Sequence, residues 1–287
     1  FYFLYLGDIM CLFVSFALMD EIPNMRSELD LDFVVACGEN AAHGFGITID
    51  ICHKLFDCGV DVITTGNHAW DQREIIDFIK EENRLLRPMN YPDDSPGNGS
   101  GLYFTKSGFR VAICQVMGQL FMQAVDDPFR AVDKFLTGTQ LSKDADAIII
   151  DIHGEATSEK AAIGWLADGR ASLVVGSHSH VPTADARILS AGTGFQTDAG
   201  MCGSYDSVIG MDKGIALRRF MKSVPGERLE PASGPPTICG VFVETDNETG
   251  LTPVSYTHLR AHETREDRVC PLERGKKKGG GGGGGGG

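Results

Sequence analysis

The stretch "VVGSHSHVPTAD", residues 174–185, closes an apolar run with two histidines, His178 and His180, one residue apart. In an extended chain residues i and i+2 project to the same side, so the two imidazoles share one face. Alone, such a pair is as consistent with a surface loop as with a ligand site. The rest of the chain decides between them. Four other apolar runs end in ligand-type residues: "GD" at Asp8, "CGEN" at Glu39 and Asn40, "TGNH" at Asn67 and His68, and "DIHGE" at His153. One Asp or Asn in such a place is ordinary turn chemistry. Five runs ending this way point to one shared site, because open α/β sheets gather functional groups beyond the carboxyl ends of their strands. Carboxylate, amide and imidazole donors together suit divalent Mn, Fe or Zn, and the lack of thiolates disfavours a structural zinc site.

Between these points strand-like and helical stretches alternate. Apolar runs such as "DFVVACG", "DVITTGN", "RVAICQVMG", "DAIIIDIHG" and "TICGVFVETD" are separated by amphipathic stretches such as "ITIDICHKLFDCG", "DQREIIDFIKEE" and "TSEKAAIGWLADG". Continuous apolar strands alternating with helices predict an α/β architecture whose sheets are covered by helices. No internal repeat or interdomain linker is visible, and the Pro/Gly-rich stretches 92–101 and 225–236 read as long surface loops.

Composition narrows the function classes. A net charge of −13 leaves no basic excess to displace counterions, which argues against duplex nucleic acid as the main partner. An acidic protein can still bind phosphate when a metal supplies the positive charge. The eight cysteines form no CxxC pair, and several sit in apolar runs, where Cys acts as a small buried hydrophobe. That favours a reducing compartment, and a cytoplasmic location is expected. No GxSxG elbow, P-loop or strand-linked GxGxxG is present, which disfavours serine hydrolases, P-loop NTPases and dinucleotide enzymes.

Both chain ends need a separate reading. "FYFLYLGDIMCLFVSFALMDE" is apolar enough to suggest a membrane anchor. It lacks a basic flank, however, and Asp8 near its middle would cost roughly 2.5–3.5 kcal/mol on insertion. A buried strand at Phe1–Leu6, a loop at Gly7–Asp8 and then a helix are expected instead, with no membrane partner. The C-terminal "VSYTHLRAHETREDRVCPLERGKKKGGGGGGGGG" has no apolar periodicity and ends in pure Lys and then pure Gly. Residues 254–287 read as a disordered scar derived from a sequencing adapter, outside the domain formed by 1–253.

The order GD … GEN … GNH … H … GSHSH resembles the calcineurin-like metallophosphoesterases, whose pattern runs GDxH, GDxxD, GNHE, H, GHxH. The longer strings "GENAAHGFGIT", "TTGNHAWDQREI", "DIHGEATSEKAAIGWLADGRASLVVGSHSHVPTAD" and "TDAGMCGSYDSVIGM" look like its bacterial branch of YmdB-like 2′,3′-cyclic-nucleotide 2′-phosphodiesterases, over residues 1–253. The resemblance implies a four-layer α-β-β-α sandwich, two mixed sheets flanked by helices, with a dinuclear centre at the strand ends. Asp8 would bind metal one and Glu39 would bridge both ions. Asn67, His153 and His178 would hold metal two, and His180 would return to metal one. Met10 stands where the general pattern has His, and Asn40 resembles the branch's replacement ligand. The implied cofactors are two divalent ions, Fe or Mn first, with Zn or Mg as alternatives.

Two such ions about 3.5–4 Å apart share and activate a water, held in line with phosphorus. His68, beside Asn67, would face the substrate and protonate the departing 2′-oxygen as general acid. A 2′,3′-cyclic phosphate would open to a 3′-nucleotide. His43 in "HGFG" and Arg170 in "DGR" are candidate substrate contacts, with a structural ion pair as the other reading of Arg170. The expected partner is a small cyclic nucleotide or other phosphoester, and a homo-oligomer is left open. Phosphomonoesterase or other diesterase activity on the same centre is one alternative; a regulatory metal-binding protein with weak turnover is the other. Among its departures from the branch, "MCLFVSFALMD" fills the place of a Gly-rich turn with an Arg after "GD", and the branch's last strand after "FVETDNETG" gives way to the stretch 254–287.

Overall fold

Successive residues of the first strand, β1 (Tyr2–Leu6), face two different cores. Leu4 and Leu6 pack outward under helices, whereas Phe3 and Tyr5 face a second sheet, as the period-2 geometry of a strand requires. The structure, a computed structural model, describes residues 1–222 and 226–261. After β1 come β2 (Asp8–Ile9), α1 (Cys11–Glu28), β3 (Phe33–Cys37), α2 (Ile49–Asp57), β4 (Val62–Thr64), α3 (Ile75–Glu81) and β5 (Leu85–Leu86). The chain continues through β6 (Ser100–Phe104), β7 (Arg110–Met117), α4 (Pro128–Gly138), β8 (Ala147–His153), α5 (Thr157–Ala167) and β9 (Leu173–Ser177). It ends with β10 (Arg187–Ile188), β11 (Gly194–Gln196), β12 (Met201–Cys202), α6 (Lys213–Met221), β13 (Thr237–Glu244) and β14 (Val254–Ala261).

Two six-stranded mixed sheets result, ordered β14-β13-β1-β3-β4-β5 and β10-β11-β9-β8-β7-β6. The inner strands run parallel, β1 with β3 and β4 in one sheet and β7 with β8 and β9 in the other. Antiparallel strands lie at one edge of the first sheet, β13 and β14, and at both edges of the second, β6 and β10, while parallel β5 forms the first sheet's other edge. The short parallel pair β2–β12 ties the chain beyond β1 to the chain beyond β11.

Three apolar cores separate four layers. Leu18, Ile22, Ile51, Leu55 and Ile79 of α1, α2 and α3 cover the outer face of the first sheet. Phe3, Tyr5, Phe33, Val35, Ile113 and Ile149 fill the space between the sheets. Val132, Leu136, Ile163 and Ala167 of α4 and α5 cover the second sheet through Ile148, Ile150 and Val174. The architecture is therefore the expected α/β sandwich of helices, sheet, sheet and helices. Helix starts follow local chemistry: Asp127 caps α4 by accepting the N–H groups of Phe129 and Arg130, with Pro128 in the first turn.

Three sequence expectations meet the structure at their edges. The apolar N-terminus splits into β1, a break at Gly7 and α1, and no helix among the described residues is long and apolar enough to cross a membrane. The loop expected over 92–101 ends where β6 begins at Ser100. The boundary expected at 253 cuts one strand short of the described sheet, because Val254–Ala261 runs antiparallel along β13. The open edge of β13 offers a row of main-chain donors and acceptors, and the turn before residue 254 delivers the chain to it whatever the side chains are. Residues 262–287 of the expected tail lie outside the described residues.

Candidate metal centre

Every run that ended in a ligand-type residue brings it to the same end of the sandwich. From the first sheet come Asp8 beyond β1, Glu39 and Asn40 beyond β3, and Asn67 and His68 beyond β4. The second sheet supplies His153 as the last residue of β8, and His178 and His180 just past β9. Asp8, Glu39, Asn40, His153 and His180 are buried, while Asn67, His68 and His178 are half-buried.

Glu39, His153 and His178 each offer a ligand atom within 4.8 Å of the others, and so do Asp8, Glu39 and His180. Glu39 belongs to both groups. A third group, Asp8, Cys37 and His153, overlaps them. Around Nε2 of His153 lie Asn67 Oδ1 at 3.0 Å, His178 Nδ1 at 3.1 Å and Glu39 Oε1 at 3.2 Å. The other ring nitrogen, Nδ1, lies 2.9 Å from Ser177 Oγ, whose hydroxyl donates to Asp151 Oδ1 at 2.7 Å. With its hydroxyl hydrogen so engaged, Ser177 accepts from Nδ1, so once the ring is neutral Nε2 offers a bare lone pair. Several lone pairs then converge on one buried point. A cation is what such a donor set fits.

The electrostatics carry the same message. Burial, with the Glu39 charge nearby and against the pull of His180, pushes the Asp8 carboxyl up to about 6. Burial would also raise the Glu39 carboxyl, but the charge and hydrogen bond of His153 hold it below the usual carboxylate range. His153 moves the opposite way: burial would lower it, and the Glu39 carboxylate raises it. Burial and then His153 push His178 down to about 3. The acidic pocket draws a proton onto His153, and a metal ion at the same place would displace it.

Asn40 donates through Nδ2 to Glu39 Oε1 at 3.0 Å and lies 3.0 Å from His180 Nε2. A half-turn of its amide would direct the oxygen inward instead, as a ligand must. His180 places Nδ1 2.8 Å from the Ile209 carbonyl, which leaves Nε2 facing the cluster. His68 differs from its neighbours. Its main-chain N–H reaches Glu39 Oε2 at 3.3 Å, but its ring points elsewhere, with Nδ1 2.7 Å from Asp71 Oδ2 and its plane edge-on to Phe45.

The two candidate substrate contacts separate. His43 is exposed in the turn after Asn40, at φ 56°, where the Gly44 N–H closes on the Asn40 carbonyl. Arg170 follows its other reading, an ion pair: it meets Asp133 at 2.9 Å ahead of β9. The five residues of β9, about 17 Å of strand at ~3.3 Å each, then lead away from it to the ligand end. Its proximity to His178 in sequence misleads because a strand intervenes. Met10, in the place of the pattern's His, packs with Met201 and Met211.

Cys37, Asp151 and Ser177 lie against the ligands without having been singled out in the sequence. The Cys37 thiol donates to Asp8 Oδ1 at 3.3 Å, and burial raises its pKa so that it stays a thiol. Asp151 could have been suspected as a lone acid inside the run "AIIIDIH". Gly66 allows the close approach of β4's loop, since a Cβ there would overlap Glu39 Oε2 and His153 Nε2.

Comparison with known proteins agrees with this geometry. The chain is 42% identical over 246 residues to the 2′,3′-cyclic-nucleotide 2′-phosphodiesterase of Bacillus subtilis (strain 168), covering 86% of this chain and 92% of that one. The solved structure of a hypothetical protein from Thermus thermophilus superposes with a TM-score of 0.84 at 37% identity, over 91% of this chain and 99% of that one. A novel phosphatase from Mycoplasma pneumoniae gives a TM-score of 0.84 at 28% identity, over 91% and 93%. The family described as YmdB-like protein matches residues 4–255, and the chain belongs to that family.

Proposed function

We propose that this protein is a metal-dependent phosphodiesterase that opens 2′,3′-cyclic nucleotides to 3′-nucleotides. The observation that carries the reading is the position of Glu39, which is shared by two ligand triads and so is placed to bridge two ions. Asp8, Asn40 and His180 would hold one ion, and Asn67, His153 and His178 the other. The hard carboxylate and amide donors favour Mn or Fe, with Zn or Mg as alternatives. A bound metal pair would supply an activated water and positive charge facing the phosphate.

The chain's own residues would do the rest. His68 stands beside the ligand loop with Nδ1 held by Asp71. That contact fixes the ring and leaves Nε2 to carry a proton to the departing 2′-oxygen when the P–O2′ bond breaks. The exposed His43, in the turn after Asn40, is a candidate contact for the nucleotide. The relative from Bacillus subtilis supports the choice of a cyclic nucleotide. Seven free cysteines among the described residues support a cytoplasmic location.

The Mycoplasma pneumoniae phosphatase keeps one other reading open, hydrolysis of phosphomonoesters on the same centre. Purified protein loaded with Mn(II) and assayed on 2′,3′-cAMP, 3′,5′-cAMP and p-nitrophenyl phosphate separates the two. Preferred turnover of 2′,3′-cAMP to 3′-AMP is expected. Preference for the monoester, or release of 2′-AMP, would overturn the proposal.

A further inference from the structure

Below the turn that carries His178 and His180 lies a buried charge pair. Lys160 of α5 and Asp198, between β11 and β12, meet at 2.7 Å, and both side chains are 1% exposed. Each spends its remaining groups on the metal loops. Lys160 Nζ also donates to the Ser177 carbonyl at 2.7 Å, and Ser177 Oγ touches His153. Asp198 Oδ2 accepts the N–H of Ser179, the residue between the two histidines, at 3.1 Å. Its other oxygen accepts the Gly200 N–H at 2.8 Å, and the Gly200 carbonyl in turn accepts the Asp8 N–H at 3.0 Å. One carboxylate thus links main chain from both sheets.

Stability alone does not account for this arrangement, because a buried ion pair contributes little over well-packed apolar residues of similar volume. The turn it braces, however, is strained. His178 and His180 both have left-handed φ values, 94° and 64°, which side chains other than glycine rarely adopt. Such a conformation persists only where its surroundings over-determine it. Here those surroundings are the Lys160–Asp198 pair and the Asp8 carboxylate, which accepts the His178 N–H at 3.0 Å.

We infer that Lys160 and Asp198 are positioning residues that hold His178, His180 and Asp8 in ligating geometry before any ion arrives. The inference rests on the metal-centre reading above. Its test is Mn(II) binding to the metal-free full-length protein by titration calorimetry, with melting temperature and circular dichroism measured alongside. The variants are Asp198→Asn, which keeps shape but loses charge, and the double variant Lys160→Met/Asp198→Leu, which replaces the pair with apolar packing.

The double variant is expected to fold with a melting temperature close to wild type, whereas Asp198→Asn should melt lower because it leaves Lys160 as an unpaired buried charge. Both should bind Mn(II) about 10–100-fold more weakly. Wild-type affinity in a folded double variant would overturn the inference. A double variant that cannot fold would overturn it too, since the pair would then be a requirement of the fold. If the wild type itself binds no Mn(II), the metal-centre reading fails first.

Discussion

Nδ1 of His68 and Oδ2 of Asp71 lie 2.7 Å apart, three residues from each other on the loop beyond β4. The pair orients a ring whose backbone touches Glu39 but whose side chain stands outside the ligand groups. His68→Ala is therefore expected to retain its metal and to lose 2′,3′-cAMP turnover by about 10²–10⁴-fold. A p-nitrophenyl ester, with a leaving group that needs no proton, should suffer far less. Equal losses on the two substrates, or loss of metal, would remove the acid role. Asp71→Asn should show the same substrate dependence at smaller size.

Glu39→Ala removes the one side chain common to both triads. The wild type is expected to carry about two metal equivalents, and this variant should fall below one when both are measured by mass spectrometry of the bound metal. Full metal content in Glu39→Ala would show that it does not bridge.

Gly66→Ala tests the tightness of the centre without touching a ligand. The added methyl would overlap Glu39 Oε2 and His153 Nε2, so metal content and turnover should fall together. Far-ultraviolet circular dichroism should stay unchanged, because the collision is confined to the ends of β3, β4 and β8. Normal metal content would mean the loop shifts freely.

Asp146 gives a pH prediction away from the centre. Hydrogen bonds from Arg110, with side-chain contacts at 2.6 and 3.1 Å, hold its carboxyl below the usual range, outweighing partial burial. A depressed folded pKa means the pair stabilises above the unfolded value, about 3.9, and the contribution is lost as pH falls through the folded one. Metal-free Asp146→Asn should melt below wild type at pH 7, and the gap should close as the pH falls below 4. A gap that stays constant down to pH 2 would contradict this.

The candidate ligands were legible because each one ends an apolar run, and a strand's end is a place in space as well as in sequence. His153 and His178 could be paired on paper for that reason, though only the fold brings them to 3.1 Å. Asp198 gave no such signal. Its partner Lys160 is 38 residues away on a helix, and nothing local marks either residue. Cys37 read as a small hydrophobe and is one by burial, yet its thiol hydrogen serves Asp8. Arg170 shows the opposite case, where nearness to His178 in sequence is undone by the direction of the strand between them. Residues 254–261 gave no strand signal, since main-chain pairing along β13 needs no apolar pattern.

The centre draws on both halves of the sandwich, with Asp8, Glu39 and Asn67 on one sheet's loops and His153, His178 and His180 on the other's. A cation there would act as a clasp across the seam. Binding only to the closed arrangement, it would add RT ln(1 + [metal]/Kd) to stability, about 2.7 kcal/mol at a hundredfold excess over Kd. A chelator should then lower the melting temperature and speed amide hydrogen exchange first along β2 and β12, the short pair that ties the chain beyond β1 to the chain beyond β11. On this view an ion that readied the protein for chemistry would also fasten one end of its two sheets together.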